Sequence, residues 1–446
     1  MSNLPSTASP LSHTSATLVR QVEAPLKINH LRWPCGLELL HVPDHGAPVV
    51  SYQTWIKVGS GNEEPGHTGL AHLFEHLMFK GTELHPEGEF DRILEELGGE
   101  VNAATWLDWT YYYVDLPSAF IERVIELESD RISNLVLTAE RLEAERQVVI
   151  NERQECVDDD PCERLSERLW SELMGKGHPY AHSTIGLMSD IKSLSLTDCQ
   201  RFYENHYHLG CVTLVVCGDV KLERLTRLIE SRYEGLNRAS DRHMRGLDFP
   251  PISSQMGRSV VEELEIHAPR LHMGFKAYPA NDPKSVALEC LDELLFEGDS
   301  SRLYKKLIFD LEIASCVYSV MPQFRGESVY EVVVELLPGE DYERAASLIL
   351  EELELIVQNG VQESEIERVK LAKELQSYRG LQTVQQRAFS LGFWQTTGDD
   401  YQQSYLRLNA LQTVTISDVQ AVAAELLKPN QRLSVIGMPH SHEKLD

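Results

Sequence analysis

The sequence predicts an α+β fold: two tandem homologous domains, each a mainly antiparallel sheet packed with helices. Three observations predict it. Leu73–Gly81 aligns with Cys290–Gly298, sharing Leu, Phe and Gly positions. Ser195-Leu196-Thr197-Asp198 resembles Thr415-Ile416-Ser417-Asp418 at nearly the same offset, and each is followed by an amphipathic segment and a short apolar run, ending at Gly218 and Gly437. Such agreement at long period marks one plan used twice. Finally, strand-like and helix-like segments mix with hairpin-length connections, which favours an α+β layer over a doubly wound sheet. The expected boundaries are a flexible N-terminal tail at 1–22, a first domain at 23–235, a linker at 236–257 and a second domain at 258–446. The linker is polar and carries Pro250 and Pro251.

Each element follows from local pattern. Residues 37–43 and 48–58 cluster β-branched and aromatic side chains and read as strands. Thr68 is the candidate N-cap of the next helix. Pro86 to Leu97 reads as a helix stopped by Gly98-Gly99, followed by strands at 100–106 and 109–116. Across that pair Trp106, Trp109, Tyr111, Tyr112 and Tyr113 alternate as sheet residues should. Ser118 is expected to cap a helix with Phe120, Ile121, Val124, Ile125 and Ile132 on its apolar face. Thr138 is expected to cap one that runs past Glu152. In the second half, strands are expected near 259–267, 270–277, 314–322 and 328–336, followed by long helices.

Bulk properties narrow the function. The 446 residues carry 69 acidic against 41 basic side chains, a formal charge of −28, which disfavours nucleic acid and anionic membranes as partners. No apolar run approaches the roughly 20 residues of a membrane span. Positions 1–22 hold no acidic side chain, a single Arg and no apolar core segment, so they read as a tail rather than a secretory signal. A cytoplasmic location is the corresponding expectation. The eight cysteines contain no C-x-x-C pair and read as reduced, mostly buried thiols.

The chemistry concentrates in His72-Leu73-Phe74-Glu75-His76. Histidines four apart lie about 40° apart around a helix, so both imidazoles can reach one ion. Glu75, one turn on from His72, is placed to accept a proton from a water on that ion. This is the H-x-x-E-H order of zinc hydrolases. A catalytic zinc needs a third protein ligand. The helix from Ala139 offers Glu140, Glu143, Glu145 and Glu152, of which Glu145 and Glu152 share a face.

The segment Gly69–Thr82 resembles the pitrilysin family of metallopeptidases, which includes insulin-degrading enzyme and mitochondrial processing peptidase. Gly99-Glu100-Val101-Asn102-Ala103 with Thr105, His178-Pro179-Tyr180 and Cys217-Gly218-Asp219 extend the resemblance over nearly the whole chain. It implies half of a clamshell, a zinc endopeptidase activity and one Zn²⁺ per chain. The family's third ligand is a Glu at a set distance beyond the second His. Counted from His76, that distance falls on Glu152, so the implied ligands are His72, His76 and Glu152. Glu75 is implied as the general base and Glu145 as a second active-site carboxylate. Asn102, Ala103 and Ala104 match the edge strand that pairs with substrate backbone. His67, His178 and His182 read as loop or core histidines.

In the second copy Glu289, Asp292 and Glu293 replace His72, Glu75 and His76, so this domain should bind no catalytic zinc. Family members commonly carry an Arg and a Tyr here that hold the peptide. Their positions align with Ile308 and Ser315, and Tyr318 lies just beyond the second. Lys305 and Lys306 read as solvated helix charges. Short members of the family often work as two-subunit peptidases. The resemblance therefore implies a heterodimer in which a homologous subunit supplies the Arg/Tyr pair, acting on unfolded or presequence-like peptides. The competing readings are a homodimeric peptidase with another substrate clamp, and a non-catalytic scaffold like the core subunits of a respiratory complex.

Overall fold

Runs rich in β-branched and aromatic residues collect into two sheets in the computed structural model, which describes residues 16–22, 26–233, 249–250, 252, 257–429 and 432–440. The first sheet contains β1 (Thr17–Val22), β2 (Ile28–Arg32), β3 (Glu38–Pro43), β4 (Val49–Ile56), β5 (Glu100–Thr105), β6 (Thr110–Pro117) and β7 (Val212–Gly218), in the order β1-β2-β3-β7-β4-β6-β5. The second contains β8 (Ser259–Leu264), β9 (Arg270–Ala277), β10 (Ala314–Val320), β11 (Ser328–Leu336) and β12 (Arg432–Pro439), in the order β10-β11-β9-β12-β8. Taken from β8, the second sheet repeats β3-β7-β4-β6-β5 strand for strand. Its parallel pair, β8 with β12, matches β3 with β7. The sequence repeat is thus also a repeat of topology and strand direction.

The helices of the first half are α1 (Leu70–Leu77), α2 (Glu89–Glu96), α3 (Ile121–Asn134), α4 (Ala139–Arg153), α5 (Pro161–Met174), α6 (Met188–Ser193), α7 (Leu196–His206) and α8 (Leu222–Tyr233). The second half adds α9 (Pro283–Phe296), the short α10 (Arg302–Tyr304) running into a wider turn at Lys305–Asp310, α11 (Tyr342–Asn359), α12 (Glu363–Arg379), α13 (Val384–Thr397), α14 (Gln403–Thr413) and α15 (Ile416–Leu426). Ser195 and Thr415 both form capping boxes, with Asp198 and Asp418, so the repeat extends to the way α7 and α15 begin. Thr138 caps α4 as expected, its hydroxyl accepting from the Arg141 amide.

Each sheet buries one face under its own helices. Leu73 and Phe74 of α1 and Val124 and Ile125 of α3 join Tyr112 and Val216 in the first core. Leu291 and Leu294 of α9 join Phe275 and Val332 in the second. The opposite faces are covered by exchange. Leu165 and Leu169 of α5, a first-half helix, pack with Leu433 and Val435 of the second sheet. Ala388 and Leu391 of α13, a second-half helix, pack with Trp55 and Val215 of the first. Gly392 allows the closest approach: a Cβ there would lie 2.1 Å from Trp55 Nε1. At the α5 contact, Glu331 accepts hydrogen bonds from Ser166 Oγ and Trp170 Nε1, both at 2.8 Å, and lies 2.7 Å from His272 Nδ1.

Three expectations change. Residues 17–22 do not belong to a flexible tail but form β1, which pairs antiparallel with β2. Leu18 and Val19 stay about half exposed, so backbone hydrogen bonding rather than burial holds this strand, and composition alone does not mark it. Thr68 does not cap α1; its hydroxyl donates to Asp190 and accepts from the Leu187 amide. Ser118 likewise makes no cap, and its hydroxyl donates to Asp219. Positions 1–15 and most of the 236–257 linker lie outside the described residues. Among the described residues no helix is long and apolar enough to cross a membrane.

Candidate metal centre

Helix α1 begins at Gly69, whose φ of 87° lies in the left-handed region. A side chain there would be strained, and a Cβ would sit 2.5 Å from the Ile185 carbonyl. With no side chain to cap the first turn, the carboxylate of Glu63 does so from outside, accepting from the amides of Gly69 at 2.9 Å and Ala71 at 2.6 Å. The Glu63 side chain is fully buried, and burial pushes its pKa well up despite these bonds. Leu70, Leu73, Phe74 and Leu77 then anchor one face of α1 in the core. His72, Glu75 and His76 are left on the face toward α4 and β5.

There the two histidines meet Glu152 near the end of α4. His72 Nε2 lies 3.6 Å from one Glu152 oxygen and His76 Nε2 lies 3.5 Å from the other. All three side chains offer a ligand atom within 4.8 Å of one another, and they form the only such group of three among the described residues. These separations are long for hydrogen bonds. Each N–O pair, one on either Glu152 oxygen, is near the ligand-to-ligand distance of about 3.3 Å around a zinc with bonds of about 2.05 Å. Burial, with a further contribution from His76, pulls the His72 pKa down to about 4, leaving a neutral imidazole with a lone pair to give. The residues present fit a zinc ion.

A chain of charge stands behind the cluster. Glu145, two turns before Glu152 on the same face of α4, puts one oxygen 3.4 Å from His76 Nδ1, the nitrogen turned away from Glu152. Its other oxygen lies 2.6 Å from the Lys80 ammonium, which also donates to Glu87 at 2.7 Å. Glu75 is held differently: Thr105 Oγ1, at the end of β5, donates to its Oε2 at 2.6 Å. Burial raises the Glu75 pKa, and the Thr105 bond opposes that rise.

Asn102, Ala103 and Ala104 lie on β5, which ends the sheet and, among the described residues, has a strand neighbour on one side only. Asn102 Oδ1 accepts from the Ala103 amide at 2.8 Å. His67, His178 and His182 stay outside the cluster; His67 faces Asp198, and the buried His178 ring accepts from the Tyr180 amide.

The second half answers the same geometry without histidine. On α9, Glu289 accepts from Arg407 and Gln323, Asp292 from Ser319 and Tyr330, and Glu293 lies 3.1 Å from Lys373. Tethered cations occupy the surroundings of these carboxylates. Ile308 falls in the turn after α10 and Ser315 on β10, where its hydroxyl donates to the Glu335 carbonyl. Tyr318 lies beside Cys162 of α5, whereas Ser319 faces α9, so the two point to opposite sides of β10. Lys306 is 3.7 Å from Glu352 and Lys305 is exposed.

Sequence reasoning brings His72, His76, Glu152, Glu75 and Glu145 together as the structure does. It leaves out Glu63 and Lys80 and gives Thr105 no role. Thr105 closes the stretch that begins at Gly99, but its partner Glu75 belongs to another element and spacing carries no sign of the contact.

Comparison with known proteins covers both halves, with the boundary between matched profiles earlier than the linker, between 186 and 193. The insulinase profile (peptidase family M16) matches residues 40–186, and that of the peptidase M16 inactive domain matches 193–373. A zinc protease, PqqE, of Helicobacter pylori is 29% identical over 414 residues, covering 91% of each chain. The crystal structure of a protease from Helicobacter pylori superposes with a TM-score of 0.88 at 28% identity, over 93% of this chain and 100% of that one. A peptidase M16 inactive domain from Pseudomonas fluorescens shares the fold, with a TM-score of 0.82 at 18% identity over 93% of this chain and 98% of its own. The two profiles span both halves, the repeated sheets match, and the chain belongs to peptidase family M16, the insulinase family.

Proposed function

We propose that this chain is a zinc endopeptidase with His72, His76 and Glu152 as metal ligands and Glu75 as general base, working on unfolded or presequence-like peptides. The observation that carries the reading is the convergence of two imidazoles and one carboxylate, with a ligand atom from each within 4.8 Å of the others, beside the half-buried carboxylate of Glu75. A bound zinc ion supplies Lewis acidity, lowering the pKa of a water toward ~7 and polarising a carbonyl. Glu75 takes the proton of the attacking water and delivers it to the leaving amine. Glu145 orients His76 through Nδ1, leaving Nε2 for the ion. The free edge of β5 receives the peptide backbone by strand addition at Asn102, Ala103 and Ala104.

The chain lacks a peptide clamp of its own at Ile308 and Ser315, and the nearby Lys306 is already beside Glu352. This supports a heterodimer whose homologous partner supplies an Arg/Tyr pair. Two measurements test the reading. Glu75→Gln should keep one zinc per chain yet lose roughly 100- to 10,000-fold in peptidase rate, while His76→Ala should lose both. Normal turnover by the Gln variant would remove Glu75 as base. Separately, the isolated, monodisperse chain should bind zinc and cleave peptides poorly until the protein that co-purifies with it is added back; full activity alone would eliminate the heterodimer.

A further inference from the structure

Resting on the reading of Glu75 as base, we infer that Thr105 is the positioning residue for that base, so that proton transfer is tied to the strand that receives the substrate. Thr105 Oγ1 donates to Glu75 Oε2 at 2.6 Å, and among the described residues no other side chain donates to this carboxylate. A glutamate's terminal torsion is broad and holds no single orientation by itself. One short hydrogen bond fixes it here, engaging one oxygen and leaving the other to face a water. Thr105 and Ala103 lie on the same side of β5, about 7 Å apart along the strand. A peptide paired in register with Ala103 is therefore measured against the same strand that holds the base.

The second half shows what this bond is without chemistry. Ser319 Oγ on β10 donates to Asp292 on α9, and Asp292 stands where Glu75 stands in the first half. The hydroxyl-to-carboxylate tie between edge strand and helix is thus a repeated part of the fold. In the second half Tyr330 adds another bond to the same oxygen and the carboxyl is buried. In the first half the tie is single and the side chain only half-buried. There it holds a group that must stay available.

The experiment compares Thr105→Val, Thr105→Ser and Ser319→Ala in the chain as isolated with its natural assembly, reading zinc content and the kinetics of a fluorogenic peptide. Thr105→Val should keep one zinc and a KM within about twofold, while kcat falls roughly 10- to 100-fold. Thr105→Ser should recover most of that rate. Ser319→Ala should lower the unfolding midpoint and leave kcat alone. On a Glu75→Gln background Thr105→Val should cost nothing further, because there is no base left to orient. Wild-type kcat in Thr105→Val, no recovery in Thr105→Ser, or an undiminished loss on the Gln background would overturn the positioning role. If Thr105→Val does not fold, Thr105→Ala gives the same readout. A wild-type chain with neither zinc nor activity would instead overturn the site reading beneath it.

Discussion

Glu145 is buried, and its two oxygens divide their contacts between His76 Nδ1 and the Lys80 ammonium. Removing its charge while keeping its shape isolates what the arrangement contributes. Glu145→Gln should weaken zinc affinity roughly 10- to 100-fold, measured by competition with a chromogenic chelator. Unchanged affinity would reduce Glu145 to a packing residue. At this scale the sequence is informative wherever the chemistry is a count along the chain. His72 and His76 follow from helical spacing, and Glu152 from the distance implied by the resemblance. Lys80, Thr105 and Glu63 escape because their contacts cross between elements, and nothing in the spacing of Glu75 and Thr105 says that they touch. The misplaced cap is the same failure in reverse. Thr68 has the residue type for an N-cap, but Gly69 takes the left-handed turn and Glu63 reaches in from the preceding loop to meet the amides.

The exchanged helices are the feature of the fold that element patterns hide. Leu165, Leu169 and Leu173 give α5 an apolar face, α13 carries only a weak one, and neither pattern says which sheet receives the helix. The structure sends α5 to the second sheet and α13 to the first. Gly392 is the test of that contact. A methyl group there would meet the Trp55 indole, which is itself fully buried among its neighbours. Gly392→Ala should therefore destabilise the protein by about 2 kcal/mol or more, despite the better helix propensity of alanine. Denaturant unfolding at equal m-value would measure it, and a neutral or stabilised variant would mean the helix sits further from the sheet. The strands of both sheets are far more legible, because their β-branched and aromatic runs are bounded by turn residues. β1 and β2 are the exceptions: Leu18 and Val19 of β1 stay half in water, and β2 is a five-residue run in which Asn29, His30 and Arg32 break the apolar pattern.

At the scale of the whole molecule the exchange binds the halves into one cooperative body. Two domains joined only by a linker would be free to unfold separately. Here each sheet loses a cover if the other half melts. A single unfolding transition is expected, with circular dichroism and calorimetry coinciding; two resolved transitions would show the halves to be independent. The two carboxylate sites differ in a way that bears on the order of events in the cell. Lys373 and Arg407 neutralise the second-half cluster from within the chain. In the first-half cluster burial keeps His72 neutral, and the Lys80 ammonium answers the buried charge of Glu145. Glu152, more than a third exposed, has no Lys or Arg beside it among the described residues and shares its charge with solvent. On the zinc reading proposed above, metal loading is a late, reversible step on a finished protein, and scarcity of zinc would silence the chain without sending it to the proteases that clear unfolded ones.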